Sequence, residues 1–376
     1  MKILAIYPYF PDERTRVRSS ETLRLLRALG DVTVAFPSET RSPDLSGFAC
    51  RVLTIRDSRF WRLSRIVGAI LSRRSISSAY YKNITNYLLN IIDDDFDLVF
   101  VERLSVAFGL SSRANVVIYD AVDSFKEQTT LLARAAKGLK KYGYRYDAKL
   151  IGDEQVESCN RATGVLCTTE LEKARLIQAG VTAPIHAYLH NSQVTRLAGI
   201  NDETNSSRQR VVFHGRGSYA ANQAAARYIR HDIAPAAPEV DFIIFGADWP
   251  EKQVANLKIF GFQPDLSLLW SADYAIFPFE AAVGIQNKVI EALAAGLPCV
   301  VTPIVAEGLP RVLKAELFDR IIVIELDRFA DYIRAMPNLV RSEEASDRFE
   351  SIYTLLMADN EVDTLNFMRA FSSRLM

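Results

Sequence analysis

The first 120 residues alternate continuous apolar runs with stretches of helical spacing. Residues 2–7 form an apolar run, which predicts a buried parallel strand. The stretch that follows predicts a helix that ends near Gly30, because its leucines recur on one side. Residues 32–36, 96–101 and 116–119 carry the same buried-strand signature as the first run. Strands and helices therefore alternate, which predicts a doubly wound parallel sheet.

A second alternation of the same kind begins after a polar stretch. Residues 199–210 lack apolar periodicity and predict a linker. Strands are predicted beyond it at residues 211–213, 241–245, 273–277 and 299–302, with helices at residues 220–231 and 286–295. A chain of 376 residues also exceeds what one hydrophobic core usually serves. We therefore predict an N-terminal domain of residues 1–198, a C-terminal domain of residues 211–339 and an amphipathic helical tail over residues 340–376.

The composition narrows the class of protein. Hydrophobic residues make up 49% of the chain and charged residues 24%, which is ordinary for a globular enzyme. No segment has the 18 or so uninterrupted apolar residues of a spanning helix, and the apolar N-terminal run is too short for a signal peptide. The four cysteines are scattered with no CxxC spacing, which indicates a reduced compartment and no metal site. A cytoplasmic location is predicted.

The strand at residues 211–213 leads into a glycine-containing loop. Gly215 and Gly217 flank Arg216, and Ser218 follows. The glycines allow the backbone to approach a ligand closely, and the start of the next helix favours negative charge. Arg216 adds a cation that can hold phosphate oxygens in bidentate fashion. The loop lacks the third glycine of the GxGxxG dinucleotide fingerprint, so an ordinary tight strand–helix turn is the alternative.

A second glycine loop follows the strand at residues 273–277 and opens onto a helix. That helix carries Lys288 and Glu291 three residues apart, so both side chains project from one face. The cation suits a diphosphate, and the carboxylate suits paired hydroxyls such as those of a ribose. The alternative is an ion pair on the helix surface, although glutamate after lysine is the less favourable order for helix stability.

These residues resemble the donor-site signature of the group 1 glycosyltransferases of family 4, closest to bacterial enzymes of exopolysaccharide clusters. The match includes G-I-Q-N-K at residues 284–288, Glu291-Ala292, Gly296 and Pro298. Matching positions in the same lobe are Phe213, His214, Gly215, Ser218, Tyr219, Asn222, Asp265, Glu307, Gly308 and Leu309. The resemblance implies a GT-B fold, in which two Rossmann-like lobes face each other across a cleft and a C-terminal helical tail returns to the N-terminal lobe.

The resemblance also implies the activity and the roles of the site residues. The family transfers a sugar from a nucleotide-sugar donor with retention and without a metal or cofactor. Glu291 would bind the ribose, and Lys288 with Arg216 would stabilise the leaving diphosphate. The donor-binding set is Gly215, Gly217, Ser218, Phe262, Gln263, Glu280, Gly284, Ile285, Gln286, Asn287, Lys288 and Glu291. Glu280 belongs to it as the nearest carboxylate to Val283, where many members carry a glutamate. The donor would be linked to UDP or GDP.

Several residues outside the donor motif are also candidates. Asp120 and Asp123 follow a predicted strand at its carboxyl end, so they are candidates for acid–base work on an acceptor hydroxyl. The alternative is an N-cap and a first-turn acid for the next helix. Arg18 fits the family pattern on the acceptor side. His214 is open to two interpretations, a structural histidine or a residue that lines the site.

The N-terminal half also carries two basic clusters. Residues 1–200 contain 28 Lys and Arg against 21 Asp and Glu, which reflects either solvated faces or an anionic partner. Residues 58–74 place apolar side chains among arginines, including Arg62 and Arg65, as in an interfacial amphipathic helix. The alternative is a helix packed on its own sheet. A second basic cluster consists of Lys137, Lys140, Lys141, Arg145 and Lys149.

The leading hypothesis is therefore a retaining glycosyltransferase that acts on a glycan or lipid-linked acceptor in bacterial surface polysaccharide synthesis, at the inner face of the membrane. A sugar-nucleotide 2-epimerase and a non-catalytic nucleotide-sugar-binding protein are the alternatives. A nucleic-acid partner is not expected, because the basic residues are not interleaved with aromatic residues and the net charge is zero.

Overall fold

The computed structural model describes most of the 376 residues. The described ranges are residues 1–8, 17–38, 51–56, 67–69, 71–75, 95–103, 114–136, 138–189, 208–263, 265–335 and 339–372. Arg62, Arg65, Lys137 and most of the predicted linker lie outside them. The chain divides into unit 1, residues 1–191 with 358–376, and unit 2, residues 192–357. Among the described helices none is long and apolar enough to cross a bilayer.

Unit 1 contains a seven-stranded sheet in which every described pairing is parallel. Its strands are β1 (Lys2–Ile6), β2 (Asp31–Ser38), β3 (Arg51–Arg56), β4 (Phe96–Glu102), β5 (Ala114–Val122), β6 (Gly164–Cys167) and β7 (Ile185–Ala187). The spatial order is β3-β2-β1-β4-β5-β6-β7, with a reversal at β1 and β4. The carboxyl ends of these two strands are where a doubly wound sheet binds ligands.

Helices cover the sheet of unit 1. They are α1 (Val17–Arg27), α2 (Phe125–Ala135), α3 (Leu139–Arg161) and α4 (Glu170–Gln178). The last helix of the chain, Glu343–Ser372, belongs to unit 1 from residue 358 onward. Its residues Met368 and Phe371 are buried against one face of the sheet, together with Ile3 and Ala5 of β1. Leu4 lies in the cluster on the other face, as strand alternation requires.

Side chains that bond to the backbone fix the segment between β5 and α2. Glu172 accepts a hydrogen bond from the backbone N–H of Ser124 at 2.7 Å, and its own N–H donates to Thr169, the N-cap residue of α4. Gln155 of α3 accepts from the N–H of Phe125 and donates to the carbonyl of Asp123. The carboxyl end of β5 is therefore held from two helices, because its buried N–H and C=O groups need partners.

Arg18 and Asp120 form a buried ion pair between α1 and the end of β5. Nε and Nη2 of Arg18 donate to the two carboxylate oxygens of Asp120 at 2.8 and 2.6 Å. Nη1 donates to the carbonyl of Tyr188 at 2.7 Å. Asp120 is fully buried and also accepts from the N–H of Val122, which has a φ of +61°. This bidentate geometry compensates two charges that are removed from water.

Unit 2 contains a second seven-stranded sheet. Its strands are β8 (Arg210–His214), β9 (Asp241–Phe245), β10 (Lys252–Val254), β11 (Leu257–Ile259), β12 (Tyr274–Phe277), β13 (Cys299–Val301) and β14 (Ile321–Val323). The order is β10-β11-β9-β8-β12-β13-β14, and β10 alone pairs antiparallel, with β11. The reversal of strand order falls at β8 and β12, so the two glycine loops leave neighbouring strands.

The helices of unit 2 follow its strands in the expected alternation. They are α5 (Ala220–Tyr228), a π-helical turn (Ile229–Ile233), α6 (Ala234–Ala236), α7 (Ser267–Trp270), α8 (Asn287–Ala294), α9 (Pro303–Glu307), α10 (Arg311–Glu316), a 3₁₀ turn (Leu326–Arg328), α11 (Phe329–Arg334) and the first part of α12 (Glu343–Ser372). Gly296 follows α8 with a φ of +75°, and a Cβ there would lie 2.1 Å from the carbonyl oxygen of Ser342. That position requires glycine.

The strands predicted in the C-terminal half all exist, within a residue or two of the predicted bounds at most ends. The helix predicted at residues 286–295 is α8, and the tail is one helix. Three strands of this half were not predicted: β10, β11 and β14, each three residues long. Runs this short carry too little periodicity to distinguish a strand from a loop. In unit 1, β3, β6 and β7 were not predicted either.

Substitution of Asp120 by Asn tests how much the buried ion pair contributes to the stability of the fold. The variant leaves the Arg18 guanidinium buried without its counterion, so we expect the free energy of unfolding to fall by about 3–5 kcal/mol. Urea unfolding followed by circular dichroism measures this change.

The matched control is Glu361→Gln, which breaks the exposed pair between Arg24 and Glu361 in the same unit. An exposed pair contributes at most about 1 kcal/mol, so this variant should unfold close to the wild type. Equal losses in the two variants would contradict the role assigned to burial.

Candidate functional site

The site is built on the two glycine loops of unit 2 and on the first turns of α8. His214 is the last residue of β8, and Lys288 and Glu291 lie on α8, which follows β12. Two hydrogen bonds join these elements. Nε2 of His214 lies 2.8 Å from Oε2 of Glu291, and Nζ of Lys288 donates to Oδ1 of Asn222 at 2.7 Å. The structure therefore brings together residues that are 66 to 77 positions apart in the chain.

Lys288 is a cation held in a largely apolar surrounding. Its Nζ lies 4.5 Å from the centroid of the Phe279 ring, a cation–π geometry. Burial lowers the pKa of Lys288 to about 8, and the negative charge of Glu291 acts in the opposite direction. Such an ammonium group has given up most of its hydration, so an anionic ligand can replace its protein partner with little further desolvation.

Glu291 is kept ionised by its neighbours. Burial raises the pKa of its carboxyl group, but the hydrogen bond from His214 and the charge of Lys288 lower it by more, so that the net pKa lies below the ordinary value. The sequence alternative of an ion pair on the helix surface is not what the side chains form. Glu291 is bonded to His214, and Lys288 is bonded to Asn222.

The glycines of the first loop allow segments of the protein to approach each other. A Cβ at Gly217 would lie 2.7 Å from the carbonyl oxygen of Asp248, and one at Gly215, where φ is +147°, would lie 2.8 Å from Asn222 Nδ2. Trp249 donates from its indole nitrogen to the carbonyl of Gly215 at 2.7 Å. The loop after β9 thus packs on the loop after β8, which fixes the position of residues 215–218.

Arg216 and Ser218 share one partner, the carboxylate of Asp248. Nε of Arg216 lies 3.6 Å from Oδ2 of Asp248, and Oγ of Ser218 donates to the same oxygen at 2.7 Å. The side chains of Arg216 and Asp248 are both more than half exposed. An exposed ion pair of this kind is weak, so Arg216 is available to an anion that competes with Asp248.

The second loop consists of residues 283–286, directly before α8. Gly284 has a φ of +64°, and Gln286 donates from its side chain to the carbonyl of Val283 at 3.1 Å. Gly308 lies so close to Gly284 that a Cβ on it would come within 2.9 Å of the Gly284 carbonyl oxygen. Gly284 is buried, whereas Ile285, Gln286 and Asn287 are partly buried at the start of the helix. The N–H groups of this start can receive an anion.

The remaining predicted donor residues lie at the edges of this region. Phe262 follows β11 and is 72% exposed, and Gln263 next to it is partly buried. Glu280 is exposed in the turn that follows Phe279. An exposed aromatic ring at a loop is suited to stacking on a planar ligand. Among the described residues no group of three or more His, Cys, Asp or Glu is arranged to hold a metal ion.

The residues predicted for the acceptor side lie in unit 1. Oγ1 of Thr168 donates to Asp123 at 2.6 Å, and burial raises the pKa of the Asp123 carboxyl group while this hydrogen bond lowers it. Asp120 and Arg18 use their polar atoms on each other and on backbone groups. Ser124 is the N-cap residue of α2, so the capping alternative for Asp120 and Asp123 does not describe their contacts. Arg62 and Arg65 lie outside the described residues.

Four contributors to the site were missed or left open by the sequence: His214 as the partner of Glu291, Phe279 under Lys288, Asp248 as the partner of Arg216, and Asn222 as the partner of Lys288. His214 was the easiest to find. A polar residue that ends a buried strand at a switch point faces the ligand side of the sheet.

The sequence was compared with known families and with solved structures. Residues 208–341 match the family model described as glycosyl transferases group 1. No curated protein matches the sequence. The E. coli structure described as trehalose-6-phosphate bound with UDP-2-fluoro glucose is similar, with a TM-score of 0.64, 12% identity and 99% of both chains covered.

Two further structures are similar over nearly the whole chain. Anabaena Alr3699/HepE in complex with UDP has a TM-score of 0.59 and 14% identity, with 100% of both chains covered. A glycosyltransferase from Rickettsia africae ESF-5 has a TM-score of 0.58 and 11% identity, with 98% of both chains covered. The predicted GT-B fold of two parallel-sheet α/β units and a C-terminal helix is confirmed. The predicted resemblance to group 1 glycosyltransferases is confirmed as well.

Proposed function

Since residues 208–341 match the group 1 glycosyltransferases, we propose that this protein is a retaining glycosyltransferase that uses a nucleotide-sugar donor. One observation carries the proposal. A desolvated ammonium group, Lys288, and an ionised carboxylate, Glu291, lie one turn apart on α8 at the switch point of the sheet. These two groups match the two polar parts of a nucleoside diphosphate, its diphosphate and its ribose.

Lys288 is assigned to the leaving diphosphate. Negative charge develops on that group as the bond to the sugar breaks, and a fixed cation in a partly dry site stabilises it more strongly than water does. The hydrogen bond to Asn222 and the ring of Phe279 hold the ammonium group in place before the donor binds. Arg216 would exchange Asp248 for a phosphate oxygen and add a second positive charge.

Glu291 is assigned to the ribose hydroxyls, and the loop of residues 284–287 to the sugar and phosphates. The exposed ring of Phe262 is assigned to the base, with Gln263 beside it. Similar structures contain UDP, UDP-2-fluoro glucose or UDP-glucose, which favours a UDP-linked donor for this chain. The reaction needs no cofactor in this proposal.

The acceptor is assigned to unit 1. Asp123 lies at the carboxyl end of β5, and the pKa of its carboxyl group is raised. It is therefore a better candidate than Asp120 for acid–base catalysis at an acceptor hydroxyl. Asp120 and Arg18 would support that strand end as a buried pair rather than touch the acceptor. A glycan or lipid-linked acceptor of surface polysaccharide synthesis fits the family resemblance.

We also propose that unit 1 contacts an anionic membrane surface. The start of α3 presents apolar side chains to solvent beside basic ones, since Leu139 is 90% exposed and Tyr142 67% exposed, with Lys140 exposed between them. Leu71, in the described part of the first basic cluster, is 80% exposed. Exposed apolar groups among cations are typical of proteins that lie on anionic bilayers.

Lys288→Ala should lower the turnover of a nucleotide sugar by about 10²–10³-fold, because the lost cation acts mainly on charge that develops in the transition state. Release of the nucleoside diphosphate from a panel of nucleotide sugars measures turnover, and the dissociation constant should change less. The matched control is Lys252→Ala, an exposed lysine of the same unit, which should behave as the wild type. Unchanged turnover in Lys288→Ala would exclude the leaving-group role.

The pH dependence of nucleotide binding follows from the depressed pKa of Lys288. With a pKa of about 8 in the free protein, the ammonium group loses its proton as the pH rises through 8, and the diphosphate loses its cation. The dissociation constant of UDP should therefore rise about tenfold between pH 7 and pH 9. Isothermal titration calorimetry measures it, and Lys288→Met, which shares the titration of the ligand, should show a clearly smaller rise. Parallel curves would contradict the assignment.

The membrane proposal predicts binding that depends on charge and on Leu139. The wild type should sediment with vesicles that contain phosphatidylserine and not with phosphatidylcholine vesicles. A Leu139→Asp, Lys140→Glu double variant should bind at least about tenfold more weakly, because each basic residue near the surface contributes about 1 kcal/mol. Leu355→Asp changes a leucine of unit 2 that is 68% exposed, and this variant should bind as the wild type. If the wild type does not sediment with anionic vesicles at low salt, the proposal is refuted.

A further inference from the structure

His214 is a buried polar residue at the carboxyl end of β8, and the proposed function gives it no role. Only 4% of its surface is exposed. Its ring stacks on Phe245, with centroids 5.4 Å apart and planes 14° apart, and meets Phe277 nearly edge-on at 5.9 Å. Two aromatic side chains therefore fix the plane of the imidazole. A ring held in this way can direct a hydrogen bond with little freedom.

The hydrogen-bond partners of His214 determine where its proton lies. Nε2 is 2.8 Å from Oε2 of Glu291, and Nδ1 is buried with no hydrogen-bond partner among the described residues. The Glu291 carboxylate can only accept, so Nε2 carries the hydrogen. A second N–H at Nδ1 would be a buried donor without an acceptor, which is costly. The ring is therefore the tautomer with its hydrogen on Nε2, directed at Glu291.

This contact leaves one carboxylate oxygen open. Oε2 of Glu291 is bonded to His214, whereas Oε1 accepts no hydrogen bond from the part of the chain that the structure describes. The Glu291 side chain is about one-quarter exposed, so a ligand can reach it. A carboxylate held by one oxygen presents the lone pairs of the other in a fixed direction. That arrangement suits a pair of neighbouring hydroxyl groups, which donate to one acceptor group side by side.

We propose that His214 is a positioning residue that orients the Glu291 carboxylate toward a vicinal diol, and that this contact makes the site select ribonucleotides over 2′-deoxyribonucleotides. The proposal rests on the proposed function, since it takes Glu291 as the ribose ligand. It assigns specificity to a residue that does not itself touch the ligand. Without His214 the carboxylate would keep its place on α8 but lose its fixed direction.

Discrimination of this kind has a physical reason. A site built to bond a hydroxyl group rejects the analogue that lacks it, because the buried polar group of the site is left unpaired. The rejection is strongest when the group cannot turn to find water or another partner. The stacked ring of His214 removes that freedom from Glu291. The ribose preference should therefore depend on both residues together rather than on each separately.

The test is a double-mutant cycle on His214 and Glu291. His214→Phe keeps an aromatic ring between Phe245 and Phe277 but removes the N–H, and Glu291→Gln removes the charge. Calorimetry of UDP and of 2′-deoxy-UDP with the full chain gives four pairs of dissociation constants. His214→Phe should raise the dissociation constant of UDP by about tenfold and that of 2′-deoxy-UDP by less than about twofold. The double variant should bind UDP as weakly as Glu291→Gln alone.

Two further variants separate positioning from general support of the fold. His214→Gln retains a side-chain N–H donor and should recover part of the ribose preference that His214→Phe loses. His231→Phe changes an exposed histidine of the same unit and should bind both nucleotides as the wild type does. In His214→Phe, the fall in UDP-glucose affinity on acidification should also begin at higher pH, because Glu291 loses the hydrogen bond that favours its charged form, with Lys288 still beside it.

Each result has a defined meaning. If Glu291→Gln weakens the binding of UDP and His214→Phe does not, the inference is overturned while the proposed function stands. Equal weakening of UDP and 2′-deoxy-UDP by His214→Phe, with a lower unfolding temperature, would show a structural histidine and would also overturn it. If Glu291→Gln leaves UDP affinity unchanged, Glu291 does not hold the ribose, and both the donor assignment of that residue and this inference fail.

Discussion

Charged side chains removed from water at the carboxyl ends of parallel strands are the constraint on which both units depend. A parallel sheet buries its strands on both faces, so polar residues that end a strand must find partners among neighbouring loops and helices. Unit 1 meets this requirement with the Arg18–Asp120 pair and with Glu172 bonded to a backbone N–H. Unit 2 meets it with two contacts, His214 to Glu291 and Lys288 to Asn222.

The two units satisfy the requirement to different degrees. The difference distinguishes polar groups that stabilise the fold from polar groups that can bind a ligand. In unit 1 every polar atom of the Arg18 guanidinium group is directed at a carboxylate or a carbonyl. Such a closed network stabilises one geometry and leaves little for a ligand. In unit 2, Lys288 has a neutral partner, Glu291 has an open oxygen, and Arg216 is in a loose, exposed pair with Asp248. Partners of this kind are displaced by an anionic ligand that carries hydroxyl groups.

The packing around the donor loops has the same purpose as the hydrogen bonds. The rings of Phe245 and Phe277 pack on His214, and the ring of Phe279 packs on Lys288. These rings exclude water from the sides of the polar groups that they contact. Glycines at positions 215 and 217 let the loop after β9 lie against the loop after β8. These glycines were expected to make room for a ligand, and the structure shows them making room for Asp248, Trp249 and Asn222. The loops are thereby fixed before any donor binds, which reduces the ordering cost of binding.

Local sequence determined the alternation of strands and helices, the strands β1, β2, β4, β5, β8, β9, β12 and β13, the helix α8 and the residues that a group 1 donor motif requires, because apolar periodicity and glycine loops depend on neighbours in the chain. It did not determine the partners of those residues. His214 and Glu291 are 77 positions apart, and Arg18 and Asp120 are 102 apart. The short strands β10, β11 and β14 likewise depend on pairing with distant segments. Hydrogen bonds and burial across such separations exist only after the sheet has assembled. The tertiary structure alone therefore decided which polar groups make all their hydrogen bonds within the protein and which are accessible to a ligand.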